Sequence, residues 1–298
     1  MGWRTLYIEE SNHVSLYLDN LKIRNEAEQE LLIPLNDINI MVIDNYKTTV
    51  STNLLIKASE YNIDLIICDN NHLPTCQLIP LSGNCISSIM IRKQIEWDNI
   101  KKSILWKEIV KKKIYNQFKI LEKYDCDNRD ISMMLNFYND VDYNDNGNRE
   151  GLAAKVYFRS LFGKDFIRFD DNCINAGLNY GYSILRSLIS KSIISRGLNA
   201  SLGIFHRGPN NAFNLSDDII EVFRPIIDDW VKDNLTNEML FSKEHRLNLI
   251  KLLSKKIYID GKKQTISNAI IIYIDSLIDY FNEDKQKILF PEAIAYDI

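Results

Sequence analysis

From Ser87 to Tyr124 the chain carries neither glycine nor proline, and within that stretch Trp97, Ile100, Ile104, Ile114, Phe118 and Leu121 recur at spacings of three, four and their multiples. An apolar stripe at those spacings lies along one side of an α-helix. The run therefore predicts one long amphipathic helix, Ile91 to Tyr124, around which the rest of its domain must pack. Its polar face carries Lys101, Lys102, Lys107, Lys111, Lys112, Lys113 and Lys119. A solvated surface accounts for such a face, and so does a surface that meets phosphates.

Ahead of this helix the period is two. Trp3 to Ile8, Val14 to Leu18, Leu21 to Ile23 and Ile38 to Ile43 alternate apolar and polar positions as strands do, with Asp19-Asn20 placed for a tight turn. Ser51 or Thr52 can cap a helix bearing Leu54, Leu55 and Ala58, and Ile63 to Cys68 returns to a strand. Pro74, Pro80 and Gly83 then interrupt regular structure. Downstream, Asn139 to Asn148 reads as a loop, and helices are expected over Glu150–Phe162, Cys173–Ser195, Asp217–Lys232 and Lys243–Lys256. A small hairpin follows around Asp260-Gly261, then a last helix capped by Ser267 and running to Phe281. The predicted fold class is α+β: residues 1–80 a β-rich domain, 81–90 a linker, and 91–298 an all-α domain.

Composition narrows the function. Five cysteines with no CxxC pair do not make a disulfide framework or a structural zinc site. No apolar run approaches the roughly 18 residues needed to cross a bilayer. Nor does the N-terminus read as a signal peptide, and Leu6 departs from the myristoylation pattern that Met1-Gly2 would open, so a cytoplasmic location is expected. With a net charge of −4, any binding of nucleic acid must use local patches. Two exist: Ile91 to Asp125 holds ten Lys and Arg against five Asp and Glu, and Gly151 to Ala200 holds seven against three.

Of the four histidines, His13, His72 and His245 lie in strand, linker and charged-helix settings that need no chemistry. His206 instead ends the apolar run Leu202-Gly-Ile-Phe205 and begins an irregular loop, a common setting for a functional side chain. Asp218 and Glu221 follow, three apart on an expected helix and so on one face, although acidic residues near a helix N-terminus also serve as caps. Glu150 opens another helix beside the small residues Gly151, Ala153 and Ala154. Two carboxylates and an imidazole suit Mn²⁺ or Mg²⁺ acting on phosphate.

The segments Arg149-Glu150-Gly-Leu-Ala-Ala with Tyr157-Phe158-Arg159, Asn175-Ala-Gly-Leu-Asn179-Tyr180-Gly-Tyr182, and His206 through Asn214-Leu-Ser-Asp-Asp218-Ile-Ile-Glu221-Val-Phe-Arg224-Pro225 stand in this order. Together they resemble the CRISPR-associated integrase/endonuclease subunit of the adaptation, or spacer acquisition, complex. The opening Met-Gly-Trp-Arg, Cys68-Asp69 with His72-Leu73-Pro74, and Lys93-Gln94 before Trp97 resemble its type II branch, and the resemblance runs the whole length. It implies that Glu150, His206 and Glu221 are catalytic and bind the metal, Mg²⁺ or Mn²⁺, with Asp218 assisting. It implies an N-terminal β domain for homodimerisation, a second small adaptation subunit, and double-stranded DNA as substrate, both as incoming fragment and as repeat array. An effector nuclease and an accessory adaptation subunit are further partners it admits. On this reading Arg149, Lys155, Arg159, Arg186 and Arg224 are candidates to meet phosphate, Asn175, Asn179 and Tyr180 to hydrogen-bond DNA, and Lys101, Lys111 and Lys112 to extend the contact. A metal-dependent nuclease on branched DNA in repair, or a non-catalytic DNA-organising dimer, would carry many of the same features.

Overall fold

The computed structural model describes residues 2, 4–10, 12–80, 86–282 and 287–293. Met1, Trp3, Gly83, Cys85 and the first half of the expected linker lie outside the described residues. Two compact units divide between residues 83 and 84.

The first unit holds β1 (Arg4–Ile8), β2 (Asn12–Tyr17), β3 (Asn20–Asn25), β4 (Glu30–Pro34), β5 (Ile38–Ile43), β6 (Thr49–Val50), α1 (Thr52–Glu60), β7 (Asp64–Cys68) and β8 (Pro74–Gln77). They form two four-stranded sheets, ordered β1-β5-β7-β8 and β4-β3-β2-β6. In the first sheet β5 runs parallel to both neighbours and is apolar almost throughout, as a strand covered on both faces must be. One core unites Ile8, Val14, Leu21, Ile33, Leu35, Met41, Leu65 and, from α1, Leu54 and Ala58. Ser51 caps α1, its hydroxyl accepting the Leu54 N–H at 3.4 Å. The tight turn sits one residue earlier than its sequence suggests. Tyr17 pairs with Asn20, so Leu18 and Asp19 form the loop at φ 45° and 54°, and the Asn20 side chain donates to the Leu18 carbonyl at 2.7 Å. The left-handed position falls on a leucine because register and that side-chain bond outweigh its local preference.

The second unit contains α2 (Ser87–Ile95), α3 (Asn99–Lys123), α4 (Asn128–Asp140), α5 (Arg149–Phe162), α6 (Cys173–Ser195), α7 (Asn214–Ile220), α8 (Arg224–Leu235), α9 (Lys243–Leu252), β9 (Lys256–Ile259), β10 (Lys262–Thr265), α10 (Ile266–Asn282) and β11 (Pro291–Glu292). The unit is mainly helical rather than all-α, since β10-β9-β11 form a small sheet. Helix begins at Ser87, inside the expected linker. The long helix is broken between α2 and α3, where Asp98 caps α3 by accepting the Lys101 N–H at 2.8 Å and Trp97 turns inward to stack on Phe281 with ring centroids 4.1 Å apart. The expected helix Asp217–Lys232 is also two, for Pro225 cannot donate to residue 221 and its ring would meet that carbonyl. The expected helix to Lys256 ends at Leu252, since Lys256 onward pairs as β9, and α10 is capped by Thr265, which accepts the Asn268 N–H at 3.2 Å, in place of Ser267. Helix α4 was not among the expected helices, although Ile131, Met134, Leu135 and Tyr138 stand along it at helical spacing.

Helix α6 is the spine of this unit, with fourteen of its residues buried. A Cβ at Gly177 would run into Leu235, and one at Gly181 into Ile227, so these glycines bring α6 and α8 together. Among the described residues no helix is long and apolar enough to cross a membrane.

Candidate active site

Helix α3 carries the site along one face. Lys102, Trp106 and Lys113 project within about 40° of one another at the helical repeat of 3.6 residues per turn. The ammonium of Lys113 lies 2.6 Å from Glu150 Oε1 and closer still to Glu221 Oε2, joining carboxylates from α5 and from the end of α7. Each carboxylate is anchored locally. Asp145 accepts the backbone N–H groups of Arg149 and Glu150 at 2.8 and 2.9 Å, which starts α5 with Glu150 in its first turn. Glu221 receives Arg224 Nε at 2.9 Å across the break made by Pro225, and Asn116 of α3 holds that break by donating to the Val222 carbonyl at 3.0 Å.

Lys113 and Glu221 are nearly closed off from water, and Glu150 and Arg224 are only partly exposed, which strengthens the charge interactions between them. Burial opposes the ammonium of Lys113, yet Glu150 and Glu221 overcome it and hold its pKa up at about 12. Burial likewise opposes the charge on Glu221, and Arg224 and Lys113 outweigh it, bringing the carboxyl down to about 2. Both groups are therefore ionised at neutral pH.

One to two turns back along α3, Trp106 is fully buried, stacked on Phe205 at 4.3 Å and edge-on to the His206 ring at 5.5 Å. Asp218 fixes that histidine. Its carboxylate, without exposure, accepts the backbone N–H groups of Ile204, Phe205 and His206 at 2.5, 3.1 and 3.1 Å and meets His206 Nδ1 at 2.7 Å. Because a carboxylate only accepts, Nδ1 must carry the proton, leaving the lone pair on Nε2. The Asp218 bond raises the imidazole pKa above its ordinary value. Asn214 closes the loop, donating to the carbonyls of Ser201 and Gly208 at 3.0 and 3.1 Å. At Gly203 a Cβ would strike the His206 carbonyl and Asp218 Oδ2.

Asp218 and Glu221 thus do not share an outward helical face. Asp218 turns into the core beneath the histidine, while Glu221, freed by the helix break, turns toward Lys113. Among the described residues, no three His, Cys, Asp or Glu side chains stand close enough together to chelate a metal ion. The donor set nevertheless suits a divalent cation: two ionised carboxylates and an imidazole whose Nδ1 is already spoken for. Lys113 puts one positive charge between those carboxylates, so a divalent cation held by them would compete with its ammonium.

The other sequence candidates separate by burial. Lys155 and Arg159 are exposed on α5, and Arg149 at its start reaches Asp140 only at 3.9 Å. Arg186 lies over the Phe213 ring at 4.8 Å. Lys111 and Lys112 lie over Tyr138 and Tyr115 at 4.6 and 5.1 Å. Tyr180 is fully buried against Phe241, which excludes contact with DNA. Asn175 is spent inside the protein, donating to the carbonyls of Ile167 and Asp170 at 2.8 and 3.0 Å, and with Asn179 it accepts from Arg168. Lys101 bonds the Tyr280 carbonyl at 3.4 Å, and Arg224 is committed to Glu221 and to the Tyr182 ring 4.5 Å away. Sequence reasoning had missed Trp106, Lys113 and Asp145. Lys113 stood in view on the basic face of α3, but nothing local says that one lysine of seven turns inward.

Taken together, fold and site define an α+β protein of two units, the second a helical domain whose buried lysine joins two carboxylates beside an oriented imidazole. The family profile described as CRISPR associated protein Cas1 matches residues 6–257, and the chain belongs to this Cas1 family. It is 35% identical over 228 residues to the CRISPR-associated endonuclease Cas1 of Neisseria meningitidis serogroup C (strain 8013), covering 76% of this chain and 74% of that protein. It is 25% identical to the second CRISPR-associated endonuclease Cas1 of Saccharolobus solfataricus, covering 95% and 96% of the two chains. A casposase solved bound to its integration product shares the fold with a TM-score of 0.76 at 21% identity, covering 96% of this chain and 92% of that one. A Cas1 protein from Thermotoga maritima does so with a TM-score of 0.76 at 16% identity, covering 96% and 99%.

Proposed function

We propose that this Cas1 protein is a metal-dependent DNA integrase and endonuclease that inserts short foreign DNA fragments into a CRISPR repeat array. A fragment's 3′-hydroxyl attacks a repeat phosphodiester, forming a new P–O bond while the repeat strand's own 3′-oxygen leaves as a hydroxyl, with Glu150, His206 and Glu221 as metal ligands and Asp218 as the group that orients the histidine. The observation that carries this reading is Lys113, whose single ammonium joins Glu150 and Glu221 on the same face of α3 that packs His206. Carboxylates from two helices are brought together at a place that calls for positive charge.

A divalent cation on such a donor set polarises a phosphodiester and lowers the pKa of an attacking hydroxyl. The chain's own residues prepare for it. Asp218 holds the proton on His206 Nδ1 and so keeps Nε2 as an acceptor. Asp145 and Arg224 fix the backbone of Glu150 and the carboxylate of Glu221. The imidazole makes Mn²⁺ an easier fit than Mg²⁺. The exposed cations Lys155 and Arg159 suit backbone contacts that ignore sequence, as fragments of any sequence require.

The casposase was solved bound to its integration product, and a Cas6-RT-Cas1–Cas2 complex shares the fold with a TM-score of 0.71 at 16% identity, covering 94% of this chain and 35% of that one; on this proposal double-stranded DNA and a Cas2 subunit are the partners and the cytoplasm is the setting. On the same proposal homodimerisation belongs to the β-rich domain, residues 1–80. The test is a strand-transfer assay: a labelled fragment, a supercoiled repeat plasmid, the partner subunit and Mn²⁺ or Mg²⁺. Wild type joins fragment to plasmid, and His206→Ala loses at least 100-fold. Equal joining by both misplaces the site, and cleavage confined to branched DNA favours a repair nuclease.

A further inference from the structure

A cavity of about 430 Å³ opens beside His206, and Lys113, Glu150 and Glu221 do not line it. Its walls include Lys102 from α3 and Arg207 from the histidine loop, with Gly203 and Gly208 leaving the loop backbone bare. Neither cation forms a hydrogen bond or ion pair with any described residue. They are close enough to repel: burial and then the charge of Arg207 lower the Lys102 pKa, opposed by Asp218. That carboxylate is already committed to three amides and the imidazole. Two uncompensated cations in a concave wall, Lys102 half-buried and Arg207 exposed, make a place for an external anion.

The spacing says which anion. Lys102 precedes Trp106 by one helical turn, so it lies about 6 Å along α3 from the residue that packs His206. One nucleotide advances about 3.4 Å along a duplex strand. We propose that Lys102 and Arg207 form a phosphate subsite, which grips the backbone of the reacting strand one or two nucleotides from the phosphodiester that His206 serves. The inference rests on the integrase reading for the identity of that strand. Lys102 and Arg207 are positioning residues, holding a neighbouring phosphate so that the reacting one stays in register.

The test uses full-length protein with its partner subunit and a branched DNA whose reacting phosphate is known, with single neutral methylphosphonates placed at successive positions. Equilibrium binding is read by fluorescence anisotropy across a salt series, and joining is followed separately. In wild type, a methylphosphonate one or two nucleotides away weakens binding about tenfold and raises KM while leaving kcat unchanged. The Lys102→Gln/Arg207→Gln double variant binds the all-phosphate DNA as weakly as that, is indifferent to the substitution, and loses about 0.7 to 0.9 from the salt slope, the share of one phosphate. A double variant that keeps wild-type affinity, or that stays equally sensitive to the same methylphosphonate, overturns the subsite. So does a double variant in which kcat falls with KM unchanged. Binding is measured apart from joining, so absent joining with these binding effects intact refutes the integrase reading and leaves the subsite standing.

Discussion

Lys113→Met isolates the feature on which the site depends. The substitution keeps the length and apolar stem of the side chain and removes its charge. Two carboxylates, Glu150 and Glu221, then face each other with Arg224 as the remaining compensation, bonded to Glu221 at 2.9 Å. Removing one partner from a buried ion pair costs about 3–5 kcal/mol, because an uncompensated charge stays behind. For a domain of this size, 1 kcal/mol shifts the melting temperature by about 2–4 °C, so a fall of roughly 10 °C is expected in EDTA. A divalent cation restores the missing charge, and at about 1,000 times its Kd it contributes about 4 kcal/mol. In wild type it competes with the Lys113 ammonium and stabilises less. Melting curves of both proteins in EDTA and in Mn²⁺ read this directly. The variant should lie well below wild type in EDTA and gain more from Mn²⁺. A variant that melts with wild type in EDTA, or gains no more from Mn²⁺ than wild type does, refutes the argument that a metal and Lys113 occupy one place.

Two further predictions follow from the buried polar groups. Asp218→Asn leaves one oxygen for three backbone N–H groups and the imidazole; loss of charge-assisted bonds should cost about 3 kcal/mol by denaturant titration, and metal affinity should fall about 10–100-fold by calorimetry. Unchanged metal affinity would show that Asp218 does not orient His206. Asp228 lies buried with the Tyr182 hydroxyl bonded to it, and burial pushes its carboxyl up to about 7 against Tyr182 and Tyr157. The folded state therefore keeps a proton that the unfolded chain releases near pH 4. Wild-type stability should fall, relative to Asp228→Asn, as pH rises from about 4 to 7 and stay level above, by at most about 4 kcal/mol at roughly 1.4 kcal/mol per pKa unit. A difference between the two proteins that does not vary with pH contradicts the assignment.

Much of the fold was legible because burial writes a period into the sequence. β5 and α6 were unmistakable, one a nearly unbroken apolar run and the other buried around most of its circumference. What escaped was set by single side chains: the Asp98 cap that splits α2 from α3, the Asn20 bond that moves the hairpin turn onto Leu18, and Pro225, whose breaking power was in plain view. The site followed the same rule. Glu150, His206, Asp218 and Glu221 stood out by residue type and by resemblance, whereas their partners did not. Lys113 and Trp106 matter through long-range packing on α3, and Asp145 is one acid among several in an Asn-rich loop, marked out only by the two N–H groups it accepts. Tyr180 shows the converse, a polar side chain in a suggestive motif that lies wholly in the core.

The central claim is that this site joins a 3′-hydroxyl to a phosphodiester without hydrolysing it first, and replacing that hydroxyl by hydrogen tests it most directly. Fragments identical but for a 3′-hydroxyl or a 3′-deoxy end would be incubated with supercoiled repeat plasmid, partner subunit and Mn²⁺. The account predicts that only the 3′-hydroxyl fragment becomes covalently attached, with the plasmid relaxed in step with the joining. Plasmid relaxation at the same rate with the 3′-deoxy fragment, and no joined product from either, would contradict it and make water the nucleophile.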